Sequence, residues 1–235
     1  MEAVPAWLLI GEAVQTRKAR PESASWFASL ARELGQLPGE RAILPFEDAG
    51  GCVLGALASG SNPLRPVLEA ALAEIRRPMR WAIVLAPLEV PADAARSEPA
   101  LVRARSALVL ARSGRERLLL QTGEAESDAL LAAMAPALVE LLDGLTPRQR
   151  TVARLALLEG LRQVDVADRL GVRRATVSVA FARARILPLG RLIGAIGSAC
   201  SAAAAKLELA LQPGTKPDSS TGEPAGNAAS RTLVL

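Results

Sequence analysis

Along the chain, short apolar runs give way to long helical periodicities near residue 143. "AWLLIGEAV" (6–14) has the length and composition of a buried strand. Pro21 followed by "ESASWFASLARELG" predicts a helix, with Trp26, Leu30 and Leu34 four residues apart and Gly35 as its stop. "RAILPFEDAGGCVLGAL" (41–57) predicts two strands joined by a tight turn near "EDAGG". "PLRPVLEAALAEIRRP" (63–78) is helical between its prolines, and "RWAIVLAPL" (80–88) is a strand. "EPALVRARSALVLARSG" (98–114) then predicts a helix with a glycine stop, and "RLLLQTG" (117–123) a strand. The order β-α-β-β-α-β-α-β predicts an α+β domain over 1–142, with a mostly antiparallel, ferredoxin-like sheet.

"SDALLAAMAPALVELLDGL" (127–145) predicts a connecting helix, and 143–211 forms an all-α module. Thr146 is a natural N-cap, Pro147 suits the first helical position, and Gln149 completes a capping box. Val152, Leu155, Leu157 and Leu158 supply the apolar face of that helix, and Gly160 closes it. In "RQVDVADRLGVRRATVSVAFARAR" (162–185), Val166, Ala167 and Leu170 share one face of a short helix. Gly171 sits in the turn, where a left-handed backbone costs least, and Val172 buries itself beside it. Val177 and Ala180 form the inner face of the next helix. A small residue four before the glycine and a β-branched one six after it suit two helices crossing steeply: a helix-turn-helix.

Beyond Pro188 the pattern predicts one long helix. Gly190, Gly194, Ser198, Ala202 and Lys206 recur every four residues along it as a ridge of mostly small side chains. Two uses of the ridge stay open: packing onto the first domain, or pairing with the same helix of a second subunit. The uncharged run 192–205 is shorter than the ~18 residues of a membrane span, which predicts no membrane association. Residues 212–235, rich in Pro, Gly, Ser and Thr, predict a disordered tail.

Composition narrows the chemistry. With no histidine and no tyrosine, a histidine general base, a Ser–His–Asp triad and histidine-ligated metals are excluded. Cys52 and Cys200 fit no metal-ligand spacing and read as small apolar residues of a reduced protein. No metal or cofactor is expected. An acidic start with a short apolar run is not a signal peptide, so the expectation is cytoplasmic.

Net charge is +4, unevenly spread: residues 1–142 carry a net −2, residues 143–211 a net +6, and the tail is neutral. Basic character concentrated in the helical module is what double-stranded DNA binding requires. A helix-turn-helix places the start of its second helix against base edges in the major groove. Here that start is Arg173, Arg174, Ala175 and Thr176, with Ser178 and Val179 a turn on. Arginine reads guanine O6 and N7, and Ala175 or Val179 suits a thymine methyl. Arg183 and Arg185 lie further along, where phosphate contact is expected, and Gln163, Arg148 and Arg150 are helix-start groups placed to clamp the backbone. Arg173 stands where Ser or Thr would normally cap, giving up ~1 kcal/mol and favouring a ligand role there.

Residues 6–185 resemble the SatD-like bacterial proteins. "WLLIGEAVQTRKAR" looks like that family's first strand and turn, "GGCVLGAL" stands where it has G-D-E-F-Q-G-L, and "ALVRARSALVLAR" is similar to its A-F-x-R-A-R-x-A-L helix. The resemblance implies a nucleotidyl-cyclase-type α+β domain ahead of the helix-turn-helix. The module itself resembles LuxR-type and sigma region-4-type helices, which share the "LTPRQR" opening. A cyclase-type site needs two carboxylates to hold divalent metal against a triphosphate. Here the first position is Glu12, and Gly51 and Cys52 occupy the hairpin positions, with Glu47 and Asp48 displaced. The domain therefore reads as non-catalytic, and Glu12 as a solvated or hydrogen-bonded loop carboxylate. The reading is a DNA-binding transcriptional regulator, a homodimer if the small-residue helix pairs, whose first domain senses a small-molecule effector or mates with a partner. Two alternatives stand beside it: a divergent nucleotide-processing enzyme, and an adaptor binding a protein such as RNA polymerase.

Overall fold

The computed structural model describes residues 2–14, 24–73, 77–90 and 94–212. The expected helix start at Pro21 and the expected disordered tail beyond Gln212 lie outside these residues. Five strands, β1 (Glu2–Ala13), β2 (Ala42–Asp48), β3 (Cys52–Ala58), β4 (Met79–Val90) and β5 (Leu118–Gln121), form one sheet in the order β2-β3-β1-β4-β5. Three helices are interleaved with them: α1 (Ala24–Leu34), α2 (Arg65–Leu72) and α3 (Ala94–Ser113). The predicted element order is the observed one. The first four strands pair antiparallel in the ferredoxin-like order. β5 departs from the antiparallel expectation, joining β4 in parallel as the β4–α3–β5 crossover requires, so the sheet is mixed.

The sheet is buried on both faces, and strand alternation decides which residue goes where. Trp7, Leu9, Val53, Leu57, Trp81 and Ile83 face a large core shared with α1, α2 and the later helices. Leu8, Ile10, Ala82 and Val84 face the opposite side, where α3 covers them with Ala104, Ala107 and Leu108. This explains why "AWLLI" is continuously apolar. Gly11 pairs with Trp81 across the β1–β4 ladder, and a Cβ there would lie 2.7 Å from the indole. The strand needs glycine to admit that ring. The hairpin turn uses Gly50 and Gly51 at φ +68° and +87°, and the Asp48 carboxylate accepts from the Gly51 N–H at 3.1 Å.

Five helices follow: α4 (Ala125–Asp143), α5 (Pro147–Leu157), α6 (Gln163–Leu170), α7 (Arg174–Arg183) and α8 (Ile186–Leu211). The α+β domain is thus followed by a helical segment, as expected, but the boundary is densely packed. α4 sends Leu131, Ala135, Leu138 and Leu142 into the large core, and α8 adds Ile196, Cys200, Ala203 and Ala204. α8 also starts earlier than predicted, with Pro188 inside its first turn, where a missing N–H costs nothing. At 26 residues it is long and apolar enough, by length and composition alone, to cross a bilayer, which corrects the shorter run read from sequence. Leu189, Ile196 and Cys200 nevertheless lie in the core, while Gly194, Ser198 and Ala202 are exposed, as are Leu187 and Leu209. Lys206 pairs with Glu124, the residue at the N-cap of α4. Both cysteines are free, and burial pushes the Cys200 thiol up to about 12.

Candidate nucleic-acid interface

The helical module is built around a small core of its own. Val152 and Leu155 of α5, Val166 and Ala167 of α6, and Val177 of α7 are all buried together. α5 is fixed at its start by the predicted capping box: Gln149 N–H donates to Thr146 Oγ1 at 3.4 Å, and Thr146 N–H to Gln149 Oε1 at 2.8 Å. α6 ends in a Schellman motif, with Val172 N–H on the Ala167 carbonyl at 3.0 Å and Gly171 N–H on that of Asp168 at 3.2 Å. Gly171 takes φ +62° to close it. α5, α6 and α7 therefore form a helix-turn-helix with its supporting helix, and the residue types read from sequence stand at the positions expected of them.

Of the residues of α7 only Val177 is buried. Arg173, Arg174, Ala175, Thr176 and Ser178 are exposed, as is Val179, an apolar side chain left 51% in solvent. The backbone of Arg173 takes the N-cap position without a capping side chain. No acidic residue lies on this helix. Among the described residues, no hydrogen bond or ion pair engages the guanidinium of Arg148, Arg173, Arg174, Arg183 or Arg185. Arg185 stands between α7 and α8 with φ +50°, a conformation unusual for a residue bearing a side chain. Two of the backbone-clamp candidates sit differently. Arg150 is half-buried and turns its guanidinium inward, Nη1 donating to the Leu145 carbonyl at 3.2 Å. Gln163 is the half-buried first residue of α6. Arg173, Arg174 and Arg183 thus share the exposed surface of α7 with Arg185 just beyond it, Arg148 is exposed at the start of α5, and Arg150 belongs to the module's frame.

The sheet domain corrects the reading of Glu12. It is not a loop carboxylate: it lies in β1, opposite Cys52 of β3 and Arg80 of β4. Its side chain is only 13% exposed and is held by Arg80 at 2.7 Å and by Arg112 of α3. Burial alone would raise its pKa, but the hydrogen bonds and charges of Arg112 and Arg80 bring it below the usual carboxylate value. A carboxylate so neutralised is a structural tie. Among the described residues no cluster of acidic or sulfur ligands suits a metal ion. Arg80 and Arg112 carried no signal in the sequence, because only strand register brings them to Glu12.

A second set of contacts escaped sequence reasoning. Glu69 of α2 accepts from Arg65 Nη2 at 2.8 Å and meets Arg154 of α5 at 3.3 Å. Arg65 Nη1 reaches the Leu158 carbonyl at 2.9 Å. α2 thereby grips both the middle and the end of α5.

Residues 136–186 match the family model for sigma-70, region 4. The match begins within α4 and runs through α7, so it covers the whole helix-turn-helix. Together with the geometry it supports a helix-turn-helix protein that binds DNA in transcription. No curated protein matches the chain. The crystal structure of a regulator of polyketide synthase expression from Bifidobacterium adolescentis is similar over 88% of this chain and 83% of its own, at 15% identity and a TM-score of 0.29. At that score the likeness carries no argument.

Proposed function

We propose that the protein is a cytoplasmic, DNA-binding regulator of transcription that reads the major groove through the start of α7. One observation carries this reading: the face from Arg173 to Val179 is exposed and free of internal ion pairs, on a helix anchored by Val177. Arg173 and Arg174 read guanine edges, and Ala175, Thr176, Ser178 and Val179 complete the base contacts. Arg183 and Arg185 contact phosphate. The inward-turned Arg150 supports the frame. The match to sigma-70 region 4 over 136–186 supports the same assignment.

The sheet domain serves sensing or assembly without catalysis, consistent with a Glu12 occupied by two arginines. Its ferredoxin-like strand order supports the SatD-like resemblance, in which this would be a degenerate cyclase-like domain. α8 buries Leu189, Ile196 and Cys200 in the core and leaves Gly194, Ser198 and Ala202 exposed, which supports pairing with a second copy. A twofold protein would read a twofold operator. Selection of bound duplexes from a random pool tests the proposal: enrichment of a guanine-containing motif, repeated with twofold symmetry, is expected, and no enrichment would overturn it.

A further inference from the structure

The seam between the sheet domain and the helix-turn-helix is not closed. Beside Arg154 a cleft of about 470 Å³ opens between the end of α2 and the first turns of α5. Leu72 and Ala73 form one wall; Arg148, Arg150, Thr151 and Arg154 form the other. Among the described residues, no carboxylate lines it. Ala73 and Arg154 also line a second cleft of about 560 Å³, whose walls include Leu30, Leu34 and Leu37 as well as the carboxylates of Glu33, Glu69 and Glu159. Clefts of this size accommodate a small organic ligand.

Three arginines line the smaller cleft, and their commitments differ. Arg148 is exposed and engages no protein group. Arg154 is shared with Glu69 at 3.3 Å and Glu159 at 3.9 Å. Arg150 donates from Nη1 to a carbonyl, but its Nε is buried with no protein acceptor. Three arginines around a cleft that no described carboxylate lines favour an anion there. A phosphate group suits it better than a carboxylate. Its near-double charge and three acceptor oxygens answer three separate guanidiniums, whereas a carboxylate has two oxygens and one charge.

We propose that this cleft binds the phosphate group of a small organic phosphate. The same phosphate chemistry is present on a DNA backbone. The wall of Leu72 and Ala73 opposite the arginines favours the small molecule, because a duplex backbone needs an open surface rather than a two-walled cleft. The proposal deepens the DNA-regulator reading, placing the effector where the reading module is gripped by the sheet domain.

Calorimetric titration of the full chain with pyrophosphate, against sodium chloride matched in ionic strength, tests the site without DNA. Saturable one-site binding is expected, about tenfold or more weaker in Arg148→Ala and unchanged in Arg174→Ala. Arg148 supports nothing in the fold, so its variant stays folded; Arg154→Gln serves as the second variant. No saturable binding beyond chloride would overturn the proposal, and so would equal losses from Arg148→Ala and Arg174→Ala. In a duplex titration, Arg148→Ala is expected to change affinity less than threefold; a loss as large as that for pyrophosphate would assign the cleft to the DNA backbone instead. Because the first arm contains no DNA, its failure and that of the DNA reading are distinguishable.

Discussion

Arg154 on α5 lies 3.3 Å from Glu69 on α2, so the supporting helix of the helix-turn-helix is ionically tied to the sheet domain. Glu69 is nearly buried and also holds Arg65. Removing its charge takes the carboxylate from Arg65 and leaves Arg154 with only Glu159, at 3.9 Å. Glu69→Gln is expected to lower unfolding stability by about 1–3 kcal/mol in urea titration. Arg154 is half exposed, so the pairwise coupling between Glu69→Gln and Arg154→Gln should be smaller, about 0.5–1 kcal/mol, and should shrink in high salt. Zero coupling at low salt would show that the tie contributes nothing.

Arg174→Ala and Arg183→Ala should separate in binding assays. The first is expected to relax preference at one base position, costing about 1–3 kcal/mol on the selected duplex and little on random DNA. The second is expected to weaken all duplexes alike and reduce the salt slope by about one. Uniform loss from both would dissolve the division between base reading and phosphate contact.

Gly171 at φ +62° has open space where a Cβ would stand. Gly171→Ala therefore suffers from backbone strain alone, about 1–2 kcal/mol. The midpoint of thermal unfolding should fall while the selected DNA motif is retained. An unchanged midpoint would mean that the turn relaxes to a different conformation.

Glu12 sets a pH dependence. Its folded pKa lies below the ordinary 4.5. Its contribution is fully present above that value and is lost as pH falls through the folded pKa. The wild-type melting temperature should therefore fall between pH 5 and pH 3 more steeply than that of Glu12→Gln, which carries no titrating group there. Parallel acid limbs for the two proteins would count against the double arginine tie.

Strand, helix and turn were legible in the sequence wherever the signal is local. Gly171, Thr146 with Gln149, and the continuous apolar run of "AWLLI" each announce a conformation within a few residues. The parallel seating of β5 is not local, since it depends on how α3 crosses the sheet. The fate of Glu12 was misread for the same reason: Arg80 and Arg112 lie 68 and 100 residues away and meet it only in the folded chain. The arginines of α7 were legible because exposure follows from helix periodicity. Arg150 was not, since its direction depends on the Leu145 carbonyl, a backbone atom without a sequence signature.

The passage from α7 to α8 takes only Ala184 and Arg185, and Ala184 and Ile186 on either side of that corner are both buried. There is no slack in such a joint. On the proposed DNA reading, a duplex held by α7 is held at a fixed angle to α8, so groove width and local curvature beside the contacted bases become selectable features of a target. Two sites with identical core bases and different flanking bendability would then be occupied unequally.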